Sequence, residues 1–195
     1  QPVTFQLTVP LTQDVVSGEL FIFVGQPATG LLYVNGSVAA PKAALLRHSN
    51  LLSYILGTVE FGSASEDEAA LVCVPPYHIA GIAALLSSIY AMRRIALLPS
   101  FDPDSWLDLA GSERVSNAFV VPTMLARIIA RMDEGASADL SALQAIAYGG
   151  GRMPLELIDR ALELFPQANF TNAYGLTETS STIALLGPED HRIAH

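Results

Sequence analysis

Strands and helices alternate along this chain, which predicts an α/β fold: a mostly parallel sheet flanked by helices. Three observations carry that prediction. From Leu71 onward, each short apolar run is followed by a stretch with helical spacing. The runs Leu71 to Val74, Ala118 to Val121 and Ala145 to Tyr148 are continuously apolar, as strands covered on both faces are. The glycine-rich and polar clusters fall just after strands, at the ends where open α/β sheets bind ligands.

The elements follow in order. Val3 to Val9 alternates in period two, like a half-buried strand, and Leu20 to Val24 and Leu31 to Val34 read as further strands. Residues 10–30 are otherwise irregular. The chain therefore divides into an N-terminal segment of strand and irregular backbone over 1–29 and an α/β unit over 30–195. A helix capped at Ser49 or Asn50 runs toward Glu60, with Leu51, Leu52, Ile55 and Val59 on one face. Leu71 to Val74 is a strand, Ile82 to Met92 a helix, and Arg94 to Leu98 a strand. Asp102 caps a short helix that has Pro103 at its first position. Ala118 to Val121 is a strand and Thr123 to Met132 a helix. Ala145 to Tyr148 is a strand, Pro154 to Leu164 a helix, and Phe170 to Tyr174 a strand. Residues 69–92 hold no formal charge, yet Pro75-Pro76, His78 and Gly81 interrupt them and Arg93-Arg94 close them. They read as a buried strand and helix rather than a membrane span.

Composition narrows the function classes. The 195 residues are 51% apolar and 15% charged, enough for one domain with a sizeable core. Nineteen acidic residues against ten basic ones give a net charge of −9, which argues against a nucleic-acid partner. Lys42 is the only lysine. Cys73 is the only cysteine, so no internal disulfide forms; with no basic-then-apolar leader, a cytoplasmic protein is expected. The acidic run Glu66-Asp67-Glu68 reads as a solvated loop, and His48 as structural.

Asn172-Ala173-Tyr174-Gly175-Leu176-Thr177-Glu178-Thr179 brings together an aromatic face, a glycine turn, a hydroxyl and a carboxylate. Those groups can stack on adenine, bond a phosphate and hold Mg²⁺. The same residues also read as a strand end, a turn and a helix cap, with Tyr174 buried.

This stretch resembles the Tyr-Gly-x-Thr-Glu signature of the AMP-forming adenylating enzymes, which include the acyl-CoA synthetases. Four further segments match that family in order. They are Tyr33 to Lys42 (its phosphate loop), Pro75-Pro76-Tyr77-His78-Ile79-Ala80-Gly81, Val121-Pro122-Thr123, and Tyr148-Gly149-Gly150-Gly151-Arg152-Met153-Pro154. The resemblance covers roughly residues 30–190 and implies one subdomain of the family's N-terminal domain. It implies activation of a carboxylic acid, fatty or other acyl, with ATP and Mg²⁺ to an acyl-adenylate. Transfer follows to CoA or a carrier-protein thiol.

The resemblance also implies roles. Tyr174 stacks on adenine, Asn172 bonds its amino group, and Gly175 forms the turn. Thr177 bonds the α-phosphate and Glu178 holds the metal. Gly149, Gly150 and Gly151 let a backbone wall approach the ligand, and His78 gates the acyl pocket. Ser37 and Lys42 remain from the phosphate loop, whose family pattern is lost at Val34, Asn35, Val38 and Ala39. The family's later ribose-binding aspartate and its small C-terminal domain with the catalytic lysine find no counterpart here, so the isolated chain is expected to be inactive. Leu- and Ala-rich faces left bare would then pair with another copy or with the missing parts. The alternative is a non-catalytic ligand-binding or interaction module derived from the same fold.

Overall fold

The computed structural model describes residues 19–22, 33–34, 37–38 and 44–193. The strand expected over Val3 to Val9 lies outside them. Two small antiparallel pairs come first. β1 (Glu19–Ile22) pairs with β4 (Ala44–Arg47), and β2 (Tyr33–Val34) with β3 (Ser37–Val38). Asn35 and Gly36, between β2 and β3, are outside the described residues.

α1 (His48–Thr58) follows β4 directly. Its first turn is closed by Asn50, whose Oδ1 accepts from the Arg47 N–H at 2.9 Å. The main sheet then begins with β5 (Ala69–Val72), α2 (Ile79–Tyr90), β6 (Arg94–Leu97) and α3 (Pro103–Ser112). It continues with β7 (Asn117–Val120), α4 (Pro122–Asp133), β8 (Ala145–Gly149), α5 (Leu155–Leu164) and β9 (Asn169–Leu176). Beyond the elements expected lie the short strands β3 and β4, and also β10 (Ser181–Leu186) and α6 (Pro188–Ile193).

The strand order is β10-β9-β8-β7-β5-β6. All neighbours run parallel except β10, which folds back antiparallel on β9 as an edge strand. The chain steps outward from β5 to β6, then reverses and fills β7, β8 and β9. Right-handed crossovers therefore put α2 on one face and α3, α4 and α5 on the other. The packing agrees. One core joins Trp106 and Leu107 of α3, Leu125 and Ile128 of α4, and Ile158 and Ala161 of α5 to Val120, Ile146 and Phe170 of the strands. A smaller cluster joins Leu46, Leu51 of α1 and Ile79 of α2. The reversal between β5 and β7 opens a crevice at the strands' C-terminal ends.

Helix starts follow their caps. The Asp102 Oδ2 accepts from the Ser105 N–H at 2.9 Å, and Pro103 opens α3 as expected. α2 starts at Ile79, three residues before Ile82, because His78 caps it: His78 Nδ1 accepts from the Ala80 N–H at 3.2 Å. The acidic run is solvated only at Glu66 and Asp67. Glu68 is half-buried and bonds Arg93 Nε at 2.8 Å and the Ser65 N–H at 3.2 Å. Burial alone would raise the Glu68 pKa, but the Ser65 and Arg93 bonds outweigh it and hold the carboxyl below its usual value. Among the described residues, no helix is long and apolar enough to cross a membrane.

Candidate functional site

Strand alternation divides the side chains of β7, β8 and β9 between two faces. Phe119, Ala147, Thr171, Ala173 and Gly175 fall on the α2 side. With His78, Ala80, Ala83, Ala84 and Ser87, and with Tyr54 of α1, they line a half-open cavity of about 260 Å³. Beside it lies an open groove of about 680 Å³, lined by Gly150, Gly151, Arg152, Asn172, Tyr174, Leu176 and β10. Cavity and groove meet at Gly150, Ala173, Gly175 and Leu185.

Tyr174 is 60% exposed and sits inside β9 rather than at its end. It is not the buried strand-end tyrosine that the residues alone also allowed, and its ring is open to the groove. Asn172 is half-buried and hydrogen-bonds the Tyr148 hydroxyl. Burial pushes the Tyr148 pKa up, and the Asn172 bond offsets part of that rise. The Tyr148 hydroxyl also lies 2.8 Å from His191 Nε2, and His191 Nδ1 lies 2.7 Å from the Gly187 carbonyl. In a neutral ring Nδ1–H donates to Gly187, and Nε2 accepts from Tyr148. This buried chain ties α6 to the floor of the groove. Sequence reading missed it, because Tyr148 and His191 are brought together only by the fold.

After β9 a 3₁₀ turn spans Thr177–Thr179. Thr177 is its first residue, not its cap, and is half-buried; Glu178 is exposed. The Thr179 hydroxyl clamps the turn: it accepts from the Leu176 N–H at 2.9 Å and lies 2.7 Å from the Ser181 carbonyl. Ser180 and Ser181 then take φ of 58° and 104°. Non-glycine residues held there carry strain of order 1–3 kcal/mol each, a feature that clusters at functional turns. Gly175 is fixed by this hairpin, since a Cβ would stand 2.0 Å from the Ser181 carbonyl oxygen.

The three glycines after β8 differ. Gly149 is buried, and a Cβ there would meet the Ala173 carbonyl oxygen at 2.2 Å. Strand packing already requires that glycine. Gly150 takes φ of 77°, which favours glycine on its own account. Gly151 is exposed, with 3.7 Å to its nearest neighbour, Pro122. The fold leaves room for a side chain only at Gly151.

His78 is half-buried and lines the cavity, and burial lowers its pKa. Its Nδ1 is spent on the α2 cap, so the neutral ring presents Nε2–H. Capping of α2 and lining of the cavity coexist in this residue. Ser37 lies in β3, and Lys42 is outside the described residues. Cys73 is buried, its thiol pushed up to about 11 by desolvation, so it is no nucleophile.

No cluster of three metal-ligating side chains occurs among the described residues. Mg²⁺ commonly takes one or two carboxylates and completes its shell with phosphate oxygens and water. A single exposed Glu178 carboxylate fits that pattern, although neither Thr177 nor Glu178 lines the groove or the cavity.

A family model described as AMP-binding enzyme matches residues 27–195. A feruloyl-CoA synthase from Amycolatopsis is 34% identical over 80% of this chain and 31% of its own length. A 2-succinylbenzoate–CoA ligase from Bacillus pumilus is 31% identical over 85% of this chain and 33% of its own. The chain thus spans about a third of the length of these relatives. Among solved structures, O-succinylbenzoate coenzyme A synthetase from Bacillus subtilis bound to AMP superposes with a TM-score of 0.66. It is 26% identical, over 82% of this chain and 32% of that one. The same enzyme has been solved with ATP and a magnesium ion, with a TM-score of 0.64 at 28% identity, over 82% of this chain and 32% of that one. The matched sequence and the superposed sheet lead to one conclusion: the chain belongs to the AMP-binding enzyme family of AMP-forming adenylating enzymes and forms part of their N-terminal region.

Proposed function

We propose that this chain supplies the adenine and acid walls of an ATP-dependent acid–thiol ligase. In that reaction a carboxylate oxygen attacks the α-phosphorus of ATP, and pyrophosphate leaves. A thiol sulfur, such as that of CoA, then attacks the acyl carbon, and AMP leaves. The observation that carries the reading is the junction at Gly150, Ala173 and Gly175, where a half-open cavity without charged side chains among its described lining residues runs into a second groove. An acyl-adenylate has that shape: an acyl tail and a nucleotide joined through a phosphate.

On this reading Tyr174 stacks on the adenine, and Asn172, oriented by Tyr148, bonds its amino group. Thr177 bonds the α-phosphate, and Glu178 holds Mg²⁺, which neutralises phosphate charge when bound. Gly150 and Gly151 form the wall against the nucleotide, and His78 meets the acid's carboxylate with Nε2–H. Ser37 and Lys42 serve the outer phosphates. The acid is not confined to fatty chains, since the relatives are named for aromatic acids. The acceptor is CoA, as in the relatives' names, or a carrier-protein thiol.

Calorimetric binding and thermal melting with AMP test this. AMP is expected to raise the chain's melting temperature by several degrees near a hundredfold excess over Kd, where ligand stabilisation is about 2.7 kcal/mol. Tyr174→Ala is expected to remove that shift without lowering the unliganded melting temperature, because the ring is exposed. The chain alone is expected to show no carboxylate-dependent ATP–pyrophosphate exchange. The absence of any AMP shift in the parent chain sinks the proposal.

A further inference from the structure

We infer that the cavity between α2 and the sheet selects monocarboxylic acids with an uncharged tail, against acids that carry a second carboxylate. The inference rests on the nucleotide and acid reading above and adds the substrate class.

The cavity has a direction. His78 caps α2 at the end of the sheet where the groove begins, and Ser87 lies nine residues further along the same helix. At 1.5 Å per residue, that places Ser87 about 13 Å from His78 along α2. Between them α2 presents Ile79, Ala80, Ala83 and Ala84 to the cavity, and the three alanines leave width for a ring or a chain. Phe119 offers an aromatic face from the sheet.

Charge decides the chemistry. Among the described residues, the lining contains no lysine, arginine, aspartate or glutamate. Its one basic group is His78, which burial keeps neutral and which stands at the mouth, where the reacting carboxylate belongs. Away from His78, the polar side chains of the lining are single hydroxyls, Tyr54 and Ser87 among them. A hydroxyl donates one hydrogen bond. It satisfies a phenol, a methoxy group or a carbonyl, but it does not neutralise a carboxylate taken out of water. Arg152 lines the groove and not the cavity.

The relatives fall on both sides of this distinction. Ferulate carries one carboxylate and a neutral ring, whereas 2-succinylbenzoate carries two carboxylates. The lining described here suits the first kind.

The test uses the 195-residue chain and three probes by calorimetry. They are AMP, a sulfamoyl-adenosine carrying a 3-phenylpropenoyl tail, and the same compound with a carboxylate on the far end of the ring. The neutral tail is expected to bind more tightly than AMP and roughly 10- to 100-fold more tightly than the carboxylated tail. Ser87→Lys is expected to shrink that ratio, with AMP affinity on the same variant reporting that it is folded. Equal binding of the two tails while AMP still binds overturns the inference and leaves the nucleotide site standing. Failure of all three probes overturns the nucleotide site and the inference with it. An unchanged ratio in a Ser87→Lys variant that binds AMP puts the selection outside the cavity and also overturns the inference.

Discussion

On the face covered by α3, α4 and α5, Trp106, Phe165 and Phe170 are at most 1% exposed and fill the space between helix and strand. On the face covered by α1 and α2, the same strands offer Ala147, Thr171, Ala173 and Gly175, and a cavity remains. Both faces are covered, and the runs Ala118 to Val121 and Ala145 to Tyr148 are continuously apolar. What alternates along those two runs is size rather than polarity. In β8, Ile146 and Tyr148 point to the packed side, and Ala147 to the hollow one. One face is packed solid, and the other leaves a cavity.

The largest expected effect breaks the packed face. Phe165→Ala leaves a hole where the side chain is wholly buried, and is expected to cost about 3–5 kcal/mol by urea denaturation. Ala147→Val adds two methyl groups on the hollow side, at a strand position that favours β-branching. It is expected to cost less than about 1 kcal/mol, well under the toll of overpacking a filled core. If the two substitutions cost the same, the faces are not packed differently.

A second pair sharpens the comparison at the junction. Gly149→Ala drives a Cβ onto the Ala173 carbonyl, a backbone atom that cannot swing aside. It is expected to destabilise by about 1–3 kcal/mol whether or not ligand is present. Gly151→Ala has ordinary clearance and is expected to move stability by no more than about 0.5 kcal/mol. Its effect should appear instead as weaker AMP binding. Unchanged AMP affinity for Gly151→Ala would remove that glycine from the nucleotide wall.

The same contrast explains what could be read from the chain. β5 to β9 and their helices were legible because each carries a local signal: an apolar run, a cap such as Asp102 with Pro103, or a glycine cluster. β10 carries none. It starts through Ser180 and Ser181 at positive φ, with no glycine, proline or asparagine to announce a turn. α6 is short and charged, and is held by tertiary contacts through His191. At the site, Asn172 to Glu178 stand in one contiguous stretch and could be read as a group. The cavity could not, because Tyr54, Ser87, Phe119 and Ala147 meet only through strand register and helix placement. Gly149 shows the limit most clearly: its need for glycine comes from pairing with Ala173 across β8 and β9.

The smallest expected effect concerns His78, which belongs to both the fold and the cavity. Burial lowers its pKa from the usual 6.5, so the folded chain gives up a proton that the unfolded chain still holds. Within the window between the folded value and 6.5, the unfolded state binds more protons, and stability rises with pH. The sign is therefore fixed. The His78 contribution is fully present above 6.5 and is lost as pH falls from there toward the lower, folded value. His78→Asn keeps an oxygen that can accept from the first turn of α2, but removes the titration. Urea midpoints taken on either side of 6.5 are expected to fall less on acidification in the variant than in the parent chain. Taking the difference between the two proteins cancels the groups they share, Glu68 among them. An equal fall in both would show that His78 is charged in the folded state as readily as in the unfolded one. A cationic ring at the cavity mouth could then hold the acid's carboxylate as an ion pair, rather than through a neutral Nε2–H.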